Sequence, residues 1–222
     1  MVKSFSQELR ESAREIWAGY HTHPFVRGLG DGTLDLEKFR YFMIQDYLYL
    51  YEYAKLFALG VAKSRSRERM QMFAGMAYST LNGEMGIHRS YMKRLGITQE
   101  ELDATPAALA NVSYTNYMLA VGYAGDDLDI LVAVLACAWS YQEIAQELVR
   151  QNPEAPSHPL YGEWVQGYIS EAYGKTVEEN IAGVDALAEG ISPERKAYLT
   201  EVFRNCSRYE AGFWDMAYEQ LV

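Results

Sequence analysis

Cysteine is scarce in this chain: Cys137 and Cys206 are the only two in 222 residues, and no CxxC spacing marks a redox or zinc motif. Without a secretion signal, the expectation is two free thiols in a reducing compartment and not a disulfide. Proline is sparse as well, with six residues in all and none between Pro24 and Pro106, so nothing there interrupts a long helix. Basic charge is in deficit, 20 Lys and Arg against 30 Asp and Glu, which leaves a formal charge of −10. That balance repels phosphate backbones and anionic lipid, and argues against a nucleic-acid or membrane partner. Local basic runs such as Lys63 to Arg69 fall where helices end and compensate the carbonyl dipoles there. The opening stretch MVKSFSQELRESAREIW is charged and amphipathic, with no apolar run long enough for a signal peptide or a membrane span, and the expected location is cytoplasmic.

What is present is the composition of a folded globular protein, 49% hydrophobic and 23% charged. A chain of this length can close one core that buries roughly 70% of the unfolded surface, so a single domain over 1–222 is expected. Apolar residues recur at three- and four-residue intervals and no alternating β pattern competes, which makes the fold class all-α, a multi-helix bundle. The period predicts helices near 4–20, 35–63, 66–94, 106–123, 127–150, 158–172, 176–189 and 193–219, with a short turn near 99–103. Capping-box spacing marks starts at Ser4 with Gln7, Thr98 with Glu101 and Thr176 with Glu179, and Ser192-Pro193 supplies a cap with proline at the first helical position. The segments 28–35 and 151–159 read as loops. From Ile130 to Trp139 the chain is apolar on every side except at Cys137, which marks a central, buried helix.

Three apolar stripes each carry one reactive group. The second helix places Asp46 in the series Phe39, Met43, Asp46, Leu50, Tyr53, Phe57. The last helix places Glu210 in Leu199, Phe203, Cys206, Glu210, Phe213, Ala217. The central helix places Cys137 in Ile130, Val134, Cys137, Tyr141, Leu148. A buried, unpaired carboxylate costs several kcal/mol, so such residues are either satisfied by partners or used chemically. Tyr49, Tyr53 and Tyr141 fall one or two turns from these groups, and aromatic walls with hydroxyl tips suit a flat polar ring. The third helix carries the stripe Phe73, Ala77, Leu81, Glu84, His88, Tyr91. Its Glu84–His88 pair lacks the Glu-x-x-His spacing of bundle di-metal sites, so a packing ion pair or hydrogen bond is expected and no metal. His21, His23 and His158 read as capping or loop residues. A buried cysteine is an inert small hydrophobe unless a neighbouring base or charge activates it, and spacing alone leaves both roles open for Cys137.

Six segments then carry a resemblance: HPFVRGLGDGTLDLEKFRYFMIQDYLYL, GEMGIHRSYMKRLGI, SYTNYM, CAWSYQEIAQEL, HPLYGEWVQGY and YEAGFWDMAY. In order and spacing, from about residue 5 to 220, they resemble the TenA family, also called thiaminase II or aminopyrimidine aminohydrolase. The resemblance implies a heme-oxygenase-like helical fold, a homotetramer, no cofactor, and hydrolysis of aminomethyl-pyrimidine breakdown products of thiamine to hydroxymethylpyrimidine. It implies Cys137 as catalytic cysteine, Asp46 as the ring-binding aspartate, Glu210 as the acid/base, and Tyr49, Tyr114, Tyr141 and Tyr168 as the substrate-binding wall. The chain departs from the family's pattern at Ala211-Gly212, where bulkier residues are usual, and this bears on pocket size. Two other readings stay open: an oxygenase or heme- or metal-binding protein on the same fold, and a non-catalytic protein that holds a small ring.

Overall fold

The computed structural model describes residues 3–222, and among these every regular element is helical. In chain order they are α1 (Phe5–Ser12), α2 (Arg14–Thr22), α3 (Pro24–Asp31), α4 (Leu36–Lys63), α5 (Arg67–Tyr78), a π-helical turn (Ser79–Glu84), α6 (Met85–Arg94), α7 (Gln99–Ala104), α8 (Leu109–Ala124), α9 (Asp127–Gln151), a 3-10 turn (Ala155–Ser157), α10 (Gly162–Ile169), α11 (Glu171–Leu187) and α12 (Pro193–Glu219). They form two compact units. The first holds the chain up to Asp35 together with Leu131–Asp215, and the second holds Leu36–Ile130 with Met216–Val222.

Local chemistry explains most helix ends. Ser4 closes the expected capping box with Gln7, while Thr98 and Ser192 accept from the backbone of Glu101 and Arg195. The helix expected over 4–20 is broken at Ala13, where the Ser12 hydroxyl donates back to the Leu9 carbonyl at 2.6 Å and competes with the helical ladder. Gly28–Asp31, expected as loop, are instead the last turn of α3. His23 accepts from the Phe25 amide through Nδ1, Pro24 opens the helix, and Gly32 ends it at φ 72°. Thr176 lies inside α11 and caps nothing; Ser170 caps that helix.

In the first unit, the part of α9 from Leu131 to Ala136 is wholly buried. The span Asp127–Gln151 is long and apolar enough to cross a membrane, but most of it is covered by the protein itself, as befits a core helix. Trp17 of α2 packs on Phe203 and Trp139, and its indole N–H donates to the Ser207 hydroxyl of α12 at 2.9 Å. The Asp185 carboxylate of α11 accepts from the backbone and hydroxyl of Ser6, tying down α1.

In the second unit, α4 buries every member of its predicted stripe from Phe39 to Phe57. The stripe predicted for the third helix holds only in part. Leu81 is exposed and Thr80 is buried in its stead, because the π turn inserts an extra residue and the inward series steps by five from Thr80 to Met85 before resuming at His88. Where α4 meets α5 there is no room for a Cβ at Gly60: one built there would lie 2.4 Å from the Phe73 ring. Gly60→Ala should therefore destabilise the fold by about 1–3 kcal/mol through overpacking, read as a lower midpoint in denaturant. An unchanged midpoint would show that Phe73 has room to move.

Candidate active site

The residues singled out in the sequence divide between the units: Cys137, Tyr141, Tyr168 and Glu210 lie in the first, Asp46, Tyr49 and Tyr114 in the second.

In the first unit, α9 carries Cys137 and, one turn later, Tyr141. The Cys137 thiol is half-buried, whereas Cys206 on α12 is fully enclosed. Glu210 lies one turn beyond Cys206 and is 2% exposed. Tyr20 of α2, a residue that sequence reasoning passed over, packs against the same stretch of α12. Its hydroxyl donates to the Ser207 carbonyl at 2.5 Å. Burial first and the charge of Glu210 second raise that phenol well above its ordinary range; the Ser207 hydrogen bond opposes them, and Cys137 and Cys206 add the smallest contributions. Cys206 is pushed up too, by burial first and Glu210 second, and stays a thiol. Tyr20 was findable, since it continues the stripe Ala13, Trp17, Tyr20, all three buried.

Beside this cluster stands an aromatic wall. Tyr141 packs on Tyr168 at 5.0 Å, Trp214 at 5.2 Å and Trp164 at 5.8 Å between ring centroids. Tyr173 abuts Tyr168 edge-on and donates to the Ala138 carbonyl at 3.0 Å. Trp164, Trp214 and Tyr173 were not predicted, because only packing joins α9, α10, α11 and α12 into one surface. A cleft lined by Gly30, Asn152, Glu154 and His158 includes none of these residues. His158 is spent there on capping, accepting through Nδ1 from the amides of Leu160 and Tyr161.

In the second unit, the buried Asp46 carboxylate is met by His88 of α6, whose Nε2 lies 2.7 Å from Oδ2. The other ring nitrogen, Nδ1, donates to the Glu84 backbone carbonyl at 3.0 Å. Both nitrogens are thus engaged and neither is left for a metal; no group of three or more His, Cys, Asp or Glu among the described residues is placed to hold one. Burial opposes charge on His88, but the Asp46 hydrogen bond and the charges of Asp46 and Glu84 outweigh it and raise the imidazole to about 9. Desolvation pushes Glu84 up to about 7, with His88 opposing and Asp46 adding. Of the ion pair or hydrogen bond expected at Glu84–His88, the hydrogen bond is present, through the Glu84 backbone carbonyl, while the ion pair is made by His88 with Asp46. Tyr49 stacks on Tyr53 and packs at a tilt on Tyr114, with centroids 5.2 and 5.5 Å away, and its hydroxyl donates to Met118 Sδ at 3.7 Å. Gln45, next to Asp46, donates to the Pro106 carbonyl and accepts from the Ala108 amide and Asn111, locking α4 to the start of α8 so that Tyr114 faces Tyr49.

Comparison with known proteins matches residues 10–220 to the TENA/THI-4/PQQC family. A protein of Halalkalibacterium halodurans named aminopyrimidine aminohydrolase is 46% identical over 217 residues, covering 98% of this chain and 96% of that one. A solved TenA homologue from P. horikoshii superposes with a TM-score of 0.88 at 30% identity, covering 98% of this chain and 99% of that one. A Shewanella denitrificans domain described as having a heme oxygenase-like fold gives 0.74 at 16% identity, covering 96% and 92%, which shows the fold alone. The all-α architecture is the heme-oxygenase-like fold.

The pair in the second unit sets a pH dependence. His88, raised from 6.5 to about 9, stabilises the folded state fully below its unfolded value, and that stabilisation is lost as pH climbs through 9. Glu84, raised from 4.5 to about 7, must ionise at a cost that is absent below 4.5 and complete above 7. Both make this region less stable as pH rises. Glu84→Gln removes the second cost, so its melting temperature relative to wild type should be higher at pH 8 than at pH 5; equal differences at both pH values would contradict it.

Proposed function

Since the chain belongs to the TENA/THI-4/PQQC family, we propose that it is an aminopyrimidine aminohydrolase of thiamine salvage, converting 4-amino-5-aminomethyl-2-methylpyrimidine and water to the 5-hydroxymethyl compound and ammonia. The observation that carries this reading is that a half-buried thiol, Cys137 on α9, and a buried carboxyl, Glu210 on α12, each lie one turn from a member of the Tyr141–Trp214 ring pair, whose centroids are 5.2 Å apart. Near-full-length likeness to a protein named for this activity supports it.

The Cys137 thiolate adds to the ring carbon next to the one bearing the aminomethyl group and breaks aromaticity. The exocyclic C–N bond then breaks, with Glu210 protonating the departing amine. Water, deprotonated by Glu210, adds to the exposed methylene, and expulsion of the thiolate restores the ring. Covalent addition thus divides one difficult substitution into easier steps. Asp46 accepts a hydrogen bond from the ring's 4-amino group, while Tyr49, Tyr114, Tyr141 and Tyr168 present ring faces and hydroxyls to the pyrimidine. Every step uses protein side chains and water, so the mechanism calls for no cofactor. The cytoplasm is the proposed location, and free thiols suit it.

A homotetramer is part of the proposal. Tyr78, Leu81 and Ile87 stand exposed along α5, the π turn and α6, and a neighbouring copy covering them removes an apolar stripe from water. Light scattering should give a tetramer's mass, and Leu81→Glu with Ile87→Glu should lower it; a monomeric wild type would refute the assembly.

Mass-spectrometric product analysis with the aminopyrimidine and with thiamine tests the chemistry. Wild type should release hydroxymethylpyrimidine, Cys137→Ser should release none while staying folded, and Glu210→Gln should lose about 10²–10⁴-fold in rate. Turnover by Cys137→Ser at the wild-type rate would remove the thiol from the mechanism.

A further inference from the structure

We propose that His88 is a positioning residue for the pyrimidine site: it holds one oxygen of Asp46 and leaves the other for the ring's amino group. This deepens the aminopyrimidine reading above and rests on it.

The geometry assigns the protons. A backbone carbonyl can only accept, so the contact between His88 Nδ1 and the Glu84 carbonyl requires a proton on Nδ1. Nε2 then carries the proton of the 2.7 Å contact and donates it to the Asp46 carboxylate, in line with an imidazole raised to about 9. This is the only hydrogen bond made to the Asp46 carboxylate among the described residues, and no Lys or Arg pairs with it. A single donor on Oδ2 therefore sets the carboxylate's rotation and leaves Oδ1 without a protein partner. A carboxylate so held presents an acceptor in a fixed direction, which is what an exocyclic aromatic amine requires.

Three features of the second unit make the arrangement rigid. Asp46 is on the buried stripe of α4, and its neighbour Gln45 is fastened to α8 through both its amide and its carbonyl. The π turn shifts the register before α6 by one residue, so that Thr80, Met85 and His88 are buried in succession. Such turns are uncommon and recur at functional sites. Asp46 and Glu84 are the titratable groups that act on the imidazole. A histidine kept only for packing would not need a protonated contact at each nitrogen.

The test uses the whole protein and three variants, His88→Phe, His88→Gln and Asp46→Asn, each checked for folding by thermal melting. Calorimetry measures binding of 4-amino-5-hydroxymethyl-2-methylpyrimidine, and turnover of the aminomethyl compound gives KM and kcat. His88→Phe is expected to weaken binding and raise KM by about tenfold or more, the range of one charge-assisted hydrogen bond. His88→Gln, whose amide can donate from nearly the same place, is expected to recover most of that loss. Nitrogen NMR of the four histidines supplies a readout independent of turnover: the signal missing in His88→Gln should show a ring protonated at both nitrogens at pH 7.5, and Asp46→Asn should abolish that state. Folded His88→Phe with wild-type affinity and KM overturns the positioning role, as does a wild-type His88 with one bare nitrogen. If wild type does not bind the pyrimidine at all, the function proposed above falls and this inference falls with it, which separates that failure from the other two.

Discussion

A carboxylate carried into the interior of a helical unit loses its water and must be given a donor in return. In the second unit that donor is His88, and much of the local architecture follows from supplying it. Asp46 occupies an inward position on α4 where Met43 and Leu50 lie on either side along the stripe. The ring reaches it from α6 at 2.7 Å, held from behind by the Glu84 carbonyl. The cost of burying one charge is offset by a second of opposite sign, so the pair is close to neutral where either member alone would be strongly destabilising.

The first unit solves a related problem with hydroxyls and indoles. Trp17 and Tyr20 send their polar tips to Ser207, one on its hydroxyl and the other on its carbonyl, which fixes α2 against the turn of α12 that carries Cys206 and Glu210. The two thiols are consequently unlike. Cys206, enclosed and facing the charge of Glu210, is held protonated; Cys137 keeps part of its surface in contact with solvent. Only a thiol of the second kind can meet a substrate, and the difference arises from the helices packed over each.

How much of this is legible without coordinates depends on whether a residue's role is set along its own helix. The stripes of α4 and α12 follow from periodicity, and every residue predicted on them is buried. Asp46, Glu210 and Cys137 stood out because a polar atom at an apolar position is visible in one dimension. Leu81 is misplaced for the complementary reason: a six-residue π turn leaves the composition of the helix unchanged yet takes up an extra residue, so the inward series runs through Thr80 and Met85 before it returns to the predicted His88 and Tyr91. Trp164 and Trp214 were missed because nothing along α10 or α12 alone distinguishes a wall from an ordinary core contact.

By itself the sequence determined the helical class, most helix ends, the buried stripes and the three polar residues upon them, since all of these are set by interactions within about two turns of one helix. Tertiary structure alone decided the partners: Asp46 for His88 in place of the Glu84 carboxylate, Tyr20 on the turn of α12 that carries Cys206 and Glu210, and Trp164 with Trp214 against Tyr141. The reason is physical. A side chain's face is fixed by its own backbone, but what it meets depends on the angle and register at which another helix arrives, and those are set by the packing of many side chains at once.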